Sequence, residues 1–178
     1  TKLDVLSVPR MMLSIFFLTF ALYLSSGLFG RPIHGLIYSY LPPDLSEEVG
    51  MISELDGGKE FQWFTELDDA FVEANTIGKN IFVDFTGYTC TNCRWMESNI
   101  FPKKEVKERF KDFVLVRLYT DGGNNYREKQ QYEIDRFGTA ALPYYVILSP
   151  EDDVINKFPG MTRNLDEFLK FLDKGLTN

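Results

Sequence analysis

The position of the two cysteines constrains the fold of this chain more than any other feature. Cys90 and Cys93 follow an apolar run and open a helical pattern. The run at 81–85 is mostly apolar, as in a central strand covered on both faces, and the helical pattern continues to about Ile100, before Pro102. A helix N-terminus carries free N–H groups and a partial positive charge, which stabilise a thiolate. The sequence therefore predicts a strand–CxxC–helix unit whose cysteines exchange a disulfide.

From residue 61 onward, the hydrophobic pattern alternates between strand and helix, which is typical of an α/β fold. The predicted order is β-α-β-α-β-α-β-β-α, with two consecutive helical stretches between the second and third strands. Strands are predicted at 61–64, 81–85, 113–119, 144–148 and 154–158, and helices at 90–100, 103–111, 65–77, 126–137 and 164–175. Thr65 is the expected N-cap of the helix at 65–77. The helix at 126–137 is polar, and we expect it to be exposed.

Composition narrows the classes of function. The chain has 178 residues, a formal net charge of −7 and no block rich in Lys or Arg, so nucleic acid is not an expected partner. Two cysteines three residues apart would close one short loop, which is not a structural disulfide framework. The single histidine, His34, leaves too few ligands for a usual zinc site. We expect no metal and no cofactor apart from a redox-active disulfide between Cys90 and Cys93.

The N-terminal region has a different character. Residues 11–30 contain no charged side chain and lie between Arg10 and Arg31. A helix of this length spans roughly 30 Å, the thickness of the hydrocarbon core of a bilayer. We interpret residues 11–30 as a transmembrane helix that follows a pre-membrane segment at 1–10. A secretory signal peptide and a buried core helix are the alternatives.

The remaining boundaries follow from breaks in the pattern. Prolines at 32, 42 and 43 and the Gly57-Gly58 pair interrupt regular structure, so residues 31–60 are interpreted as a linker. The α/β domain is predicted over residues 61–178. Because the chain begins with Thr1, we expect it to be a processed product or a piece of a longer protein.

Two further positions accompany the cysteine pair. Asp84 lies six residues before Cys90, and Pro143 follows Ala141-Leu142 immediately before the strand predicted at 144–148. This combination resembles the thioredoxin superfamily, which carries a buried acid behind the active site and a cis-proline that faces the cysteines. The resemblance implies a thioredoxin-like fold, in which helices flank a central mixed β-sheet.

The stretch VDFTGYTCTNCRWME at 83–97 carries a closer resemblance. It is similar to the C-terminal periplasmic domain of DsbD-type thiol:disulfide interchange proteins, and Glu97, seven residues after Cys90, matches a second acid of that domain. The segment before the domain looks like the last membrane helix of the same family. Thr89 departs from the pattern, because many relatives have Trp there, and Thr91-Asn92 replaces the Gly-Pro of thioredoxin.

The DsbD resemblance implies a protein-disulfide reductase in the bacterial periplasm, held at the inner membrane through residues 11–30. It would take reducing equivalents from cysteines of its own membrane domain. It would pass them to its N-terminal periplasmic domain or to other proteins that carry thiols or disulfides.

Four residues are candidates for catalysis. Cys90 is expected to attack as the thiolate, and Cys93, one turn into the helix, to resolve the mixed disulfide. Asp84 is interpreted as a buried acid that carries the Cys93 proton, the alternative being an edge position in solvent. Glu97 is a second acid of the site or an ordinary surface charge. We expect the two acids together to raise the pKa of Cys90 until a partner docks.

Four other residues are candidates for partner binding. The Leu142–Pro143 peptide bond is expected to be cis and to present the backbone of Leu142 to a bound peptide as a short β-pairing edge. The alternative is a trans proline in an ordinary turn. Tyr88 and Trp95 are candidates for lining the docking surface, since aromatic residues are enriched at interfaces, but either is equally suited to packing.

Two other functions stay open on the sequence alone. The first is a separate membrane-anchored reductase or isomerase, such as one that serves cytochrome c maturation. The second is a thioredoxin-fold binding module without redox turnover, against which the retention of both cysteines argues. The sequence fixes neither the direction of electron flow nor the oligomeric state.

Overall fold

The computed structural model describes residues 8–28 and 61–177. The chain divides into two compact units, at residues 1–38 and 39–178. The pre-membrane segment predicted at 1–10 lies mostly outside the described residues, and the linker predicted at 31–60 lies entirely outside them. The two units are described separately below.

The first unit contains helix α1, Val8–Leu28. Many of its large apolar side chains are exposed, among them Met12 and Phe16. Within residues 8–28 and 61–177, no helix combines the length and the apolar character needed to cross a membrane. The transmembrane helix predicted at 11–30 is therefore not supported.

The second unit contains five strands and five helices among its described residues. The strands are β1 (Trp63–Phe64), β2 (Ile81–Thr86), β3 (Val114–Tyr119), β4 (Tyr144–Leu148) and β5 (Val154–Pro159). The helices are α2 (Leu67–Ile77), α3 (Thr91–Asn99), α4 (Lys104–Phe110), α5 (Tyr126–Phe137) and α6 (Leu165–Lys174).

The five strands form one sheet in the order β1-β3-β2-β4-β5. β1 and β2 both run parallel to β3, whereas β4 is antiparallel to β2 and to β5. The predicted central mixed sheet flanked by helices is confirmed. In this order β2 lies at the centre of the sheet. The cysteine pair follows β2 and therefore lies near the carboxyl ends of the parallel strands β2 and β3.

All six residues of β2 are buried, as the apolar run predicted. Side chains alternate between the two faces of a strand, and this alternation divides the core. On one face Phe82 packs with residues of α3, α4 and α6, and on the other Ile81, Val83 and Phe85 pack with residues of α2 and α5. The face that carries Phe82 also carries Asp84 and Thr86, so polar residues of β2 are directed toward α3.

The start of α2 differs from its prediction. The N-cap is Glu66 and not Thr65, and the Glu66 side chain makes no capping hydrogen bond. The Glu66 carboxylate instead accepts a hydrogen bond from Lys129 Nζ of α5 at 2.8 Å. A tertiary ion pair thus engages the side chain that a local cap would need.

Helix α5 was expected to be exposed, and this expectation is wrong for one of its faces. Tyr132 and Phe137 pack on Phe85 of the sheet, with ring centroids 6.2 and 5.7 Å apart. Glu133, between them in the chain, is fully buried, and neither of its carboxylate oxygens has a hydrogen-bond partner among the described residues. Burial raises the pKa of Glu133 from 4.5 to about 7.

We expect the substitution Glu133→Gln to stabilise the protein at pH 8 by about 3 kcal/mol and to have little effect at pH 4. The folded state keeps the Glu133 proton up to about pH 7, whereas the unfolded chain releases it near its ordinary pKa. Folding of the wild type is therefore progressively disfavoured as the pH rises between these values. Denaturant unfolding at both pH values measures the effect. The exposed Glu151→Gln is the control, and equal gains at pH 4 and pH 8 would contradict the expectation.

Candidate active site

Cys90 and Cys93 form a disulfide at the N-terminus of α3, with Cα atoms 5.3 Å apart. Cys90 is the N-cap residue of this helix, and its sulfur accepts a hydrogen bond from the backbone N–H of Cys93 at 3.2 Å. Cys90 is half-buried, whereas Cys93 is only 1% exposed. The more exposed of the two cysteines thus lies at the positive end of the helix, where a thiolate is stabilised.

Asp84 lies on the central strand, on the face covered by α3. It is 1% exposed, which confirms a buried acid and excludes the edge position. Its neighbours across the sheet are Arg117 of β3 and Tyr145 of β4. Asp84 Oδ2 accepts a hydrogen bond from Arg117 Nε at 3.4 Å, and Oδ1 has no hydrogen-bond partner among the described residues.

Burial is the main cause of a large shift in the acidity of Asp84. It raises the pKa of the carboxyl group from 3.8 to about 7, and the nearby charge of Glu97 adds to the rise. Arg117 and Arg94 act in the opposite direction but do not cancel it. Near neutral pH, this carboxyl group can therefore both accept and return a proton, which is the property a proton carrier requires.

Glu97 lies on α3 and belongs to the same cluster. Its Oε1 accepts a hydrogen bond from the Thr86 hydroxyl at 3.2 Å, and its Oε2 accepts one from Arg94 at 2.5 Å. Oε1 is also 3.9 Å from Arg117 Nε, and the side chain is 12% exposed. Glu97 is thus not an ordinary surface charge, and Arg117 connects it with Asp84.

The two arginines of this cluster were not predicted from the sequence. Arg117 interrupts the apolar strand β3 at the position that pairs with Asp84, and its guanidinium lies 4.4 Å from the ring centroid of Trp63 on β1. Arg94, directly after the motif, is 5% exposed and also donates a hydrogen bond to the Gly87 carbonyl at 3.3 Å. The sequence offers one signal for Arg117, a charged residue inside an otherwise apolar run, whereas its register with Asp84 is set by the strand pairing.

The arginines change how the two acids act on the cysteines. Two carboxylates and two guanidiniums share this cluster, so their charges balance when both acids are ionised. A balanced cluster acts less on Cys90 than two bare carboxylates would. The expected rise of the Cys90 pKa caused by Asp84 and Glu97 therefore stays a prediction, and we expect it to be smaller than the acids alone would produce.

The loop before β4 carries Leu142 and Pro143. The predicted cis peptide bond between them is confirmed. Pro143 is buried, and its carbonyl oxygen accepts a hydrogen bond from the backbone N–H of Gly160 at 2.9 Å. Leu142 Cδ1 lies 3.0 Å from the position that a Cβ of Gly87 would take, which places the cis-proline loop against the loop that precedes Cys90. Peptide binding at Leu142 stays a prediction.

The two candidate aromatic residues have different surroundings. Tyr88 is half-buried and stacks on Tyr119, with ring centroids 4.1 Å apart. Trp95 packs against the core on one side, and the Arg163 guanidinium lies 5.7 Å from its ring centroid. Tyr88 is thus close to the nucleophile in the loop before Cys90, and Trp95 contributes to packing. Their role in docking stays a prediction.

Asp121, in the loop after β3, is a further residue of the site that was not predicted from the sequence. Its carboxylate accepts hydrogen bonds from the backbone N–H groups of Tyr88 and Thr89 at 2.7 and 2.9 Å, and from the Thr89 hydroxyl at 2.8 Å. Among the described residues, no group of three or more His, Cys, Asp or Glu side chains is arranged to hold a metal ion.

The site thus combines a half-buried cysteine at a helix N-terminus, a buried second cysteine, a buried acid on the central strand and a cis-proline loop against the loop before Cys90. These are the features of a thiol–disulfide oxidoreductase site. Residues 62–150, half of the chain, match the thioredoxin-like family, and the chain belongs to this family. It is a thioredoxin-like oxidoreductase domain with a Cys90–Cys93 disulfide, and it is related to DsbD.

Individual relatives show weaker similarity. The thiol:disulfide interchange protein DsbD of Campylobacter jejuni is 23% identical over 85 residues, which is 48% of this chain and 15% of that protein. The chain thus spans about 15% of the length of the curated relatives that it matches. A thioredoxin from Thermus thermophilus has a TM-score of 0.57 at 21% identity, over 66% of this chain and 88% of its own. The reduced DsbD C-terminal domain of Neisseria meningitidis has a TM-score of 0.51 at 18% identity, over 61% and 93% of the two chains.

Proposed function

We propose that the domain reduces disulfides in other proteins and relays reducing equivalents between dithiol partners. One observation carries the proposal. Cys90 lies half-buried at a helix N-terminus, Cys93 is 1% exposed one turn into the same helix, and the strand that this helix covers carries Asp84, whose pKa is about 7. This asymmetry assigns attack to one cysteine and resolution to the other.

The reaction transfers two electrons in two displacement steps. The Cys90 thiolate attacks one sulfur of the partner disulfide, a mixed disulfide forms, and the partner's other sulfur leaves as a thiolate that takes up a proton. Cys93, once deprotonated, attacks Cys90 Sγ and displaces the second partner sulfur. The partner gains two electrons and two protons, and the domain is left with the Cys90–Cys93 disulfide.

We assign the proton of the second step to Asp84. A buried thiol such as Cys93 reacts only after it loses its proton, and solvent reaches it poorly because it is 1% exposed. A carboxyl group with a pKa of about 7 accepts that proton at neutral pH and returns it in the reverse reaction. Glu97, joined to Asp84 through Arg117, is proposed as the second acid of this relay.

For partners and place, we propose a relay in the bacterial periplasm at the inner membrane. The support is the similarity to proteins named as thiol:disulfide interchange proteins. The donor would be a membrane domain of the same protein, and the acceptors an N-terminal domain or other proteins that carry disulfides. Attachment through residues 11–30 stays a prediction without support from the described helices. Fractionation of the full-length protein tests the location, and a cytosolic fraction would contradict it.

Two alternative functions, a separate reductase or isomerase and a binding module, would use the same site differently. A separate reductase or isomerase, such as one for cytochrome c maturation, would use the same cysteines on other partners. A binding module would not turn over electrons at all. The difference in exposure between Cys90 and Cys93, and the two acids that Arg117 joins on the same side of the sheet, favour redox turnover.

We expect a reduction potential below about −200 mV for the Cys90–Cys93 pair, in the range of reductants. Equilibration of the full chain with glutathione buffers of known ratio measures it. A value near about −120 mV, which is typical of a strong oxidant, would overturn the reductant assignment. Reduction of a protein disulfide in the presence of excess dithiothreitol, followed against the Cys90→Ala variant, tests turnover itself.

A further inference from the structure

A single carboxylate holds the segment that leads into the nucleophile. Asp121 binds the backbone N–H of both Tyr88 and Thr89, and its Oδ2 also accepts the Thr89 hydroxyl. All three distances are between 2.7 and 2.9 Å, as expected for hydrogen bonds to a charged acceptor. The two residues that immediately precede Cys90 are therefore attached to a different loop, the one after β3.

Close packing reinforces this attachment. A Cβ at Gly87 would lie 2.7 Å from Asp121 Oδ2, so only glycine leaves room for the carboxylate at this position. A Cβ at Gly122 would lie 3.0 Å from the Tyr88 ring, which stacks on Tyr119. The backbone adds to the attachment, since Thr120 N–H donates to the Thr86 carbonyl at 3.0 Å. The segments 86–89 and 119–122 are thus held together by hydrogen bonds and by close packing.

The segment 86–89 leads directly into the nucleophile, Cys90. Cys90 N–H donates to the Gly87 carbonyl at 3.2 Å, and Cys90 is the N-cap of α3 with extended backbone angles of −79° and 96°. Its sulfur receives the backbone N–H of Cys93 at 3.2 Å. The direction in which Cys90 enters the helix, and with it the contact between sulfur and N–H, depends on where residues 87–89 are held.

We propose that Asp121 is a positioning residue for disulfide exchange: through Tyr88 and Thr89, it holds Cys90 at the N-terminus of α3. The proposal rests on the proposed function and names a residue on which that function depends. It also gives Thr89 a role, since its hydroxyl supplies one of the three bonds to the carboxylate.

Positioning and simple charge predict opposite changes when Asp121 is replaced by Asn. If Asp121 acts only as a negative charge near the thiolate, its removal lowers the pKa of Cys90 and accelerates its reaction. If Asp121 positions Cys90, its removal lets the sulfur leave the helix N-terminus, so the pKa of Cys90 rises and the reaction slows. The direction of the change therefore separates the two roles.

The experiment measures alkylation of the reduced full chain by iodoacetamide as a function of pH. At pH 7 we expect the rate to fall about fivefold in Asp121→Asn and about twofold in Thr89→Val, because charge-assisted hydrogen bonds are lost. Thr89→Ser keeps the hydroxyl and should restore the wild-type rate. Asp112→Asn removes an exposed acid of another loop and is the control for net charge.

Two outcomes would overturn the proposal. The first is faster alkylation of Asp121→Asn together with an unchanged Thr89→Val, which would make Asp121 a charge alone. The second is no difference from Asp112→Asn. If Asp121→Asn does not fold, the Thr89→Val and Thr89→Ser pair decides. Alkylation reports the state of Cys90 whether or not the chain reduces proteins, so failure of the proposed function would appear separately, as a wild type that does not reduce a protein disulfide.

Discussion

Replacement of Cys90 by Ala is expected to reduce the rate of protein-disulfide reduction by on the order of 10³-fold or more, as for removal of a catalytic nucleophile. Replacement of Cys93 by Ala is expected to abolish turnover for a different reason. The Cys90 thiolate still attacks, but no second thiol displaces the partner, so a mixed disulfide accumulates. The half-buried Cys90 and the 1% exposed Cys93 assign the two roles in this order.

Non-reducing gel electrophoresis and mass spectrometry of the Cys93→Ala full chain, mixed with an oxidised protein substrate, detect the trapped species. Cys90→Ala and the double variant are the controls, and neither should form it. A trapped species with Cys90→Ala but not with Cys93→Ala would reverse the roles. If neither single variant forms a mixed disulfide, the chain is a binding module without redox turnover.

The fold could be predicted from the sequence because the apolar pattern of several elements matches their burial in the structure. β2 lies at the centre of the sheet and is apolar throughout, apart from Asp84 and Thr86. α6 has the apolar spacing of a helix with one buried face, and Phe168, Phe171 and Leu172 are buried. Where local pattern and tertiary burial agree, hydrophobic periodicity is sufficient.

Prediction failed where a contact from elsewhere decided the outcome. The polar composition of α5 indicated exposure, but Tyr132, Glu133 and Phe137 lie on a face that packs on the sheet. Thr65 was the expected local cap, yet the N-cap is Glu66, whose carboxylate pairs with Lys129 instead of capping the helix. Propensity and capping are local preferences, and a tertiary ion pair or a packed aromatic cluster overrides them.

The sequence predicted only part of the candidate site, because some of its residues come from elements that are distant in the chain. Asp84 and Glu97 lie within seven residues of Cys90, and Pro143 directly precedes a predicted strand, so the family resemblance located all three in the sequence. Arg117 and Asp121 come from β3 and the loop after it, about thirty residues downstream. They reach the site only because β3 is the parallel neighbour of β2. Pairing of these strands is a property of the sheet order and not of the local sequence.

Replacement of Asp84 by Asn is expected to stabilise the oxidised protein increasingly as the pH rises from about 4 to about 7. The folded state holds the Asp84 proton up to about pH 7, whereas the unfolded chain releases it near pH 4. Ionisation therefore opposes folding increasingly between these values, and the uncharged Asn avoids this cost. Denaturant unfolding between pH 4 and 8 should show two curves that separate as the pH rises, and parallel curves would contradict the raised pKa.

Asp84→Asn is also expected to lose the proton acceptor for Cys93, so this variant should be more stable but less active. Resolution of the mixed disulfide at pH 7 should slow by about 10²-fold, the lower end of the usual effect of a general base. The defect should diminish toward pH 9, because hydroxide then deprotonates Cys93 without Asp84. Rapid acid quench of the reaction with an oxidised substrate measures the two steps separately, and attack by Cys90 should change far less than resolution.

An exposed acid replaced in the same way, Asp112→Asn, should change neither step. If resolution in Asp84→Asn is as fast as in the wild type at pH 7, Asp84 only shapes the core, and the proton of Cys93 leaves by another route.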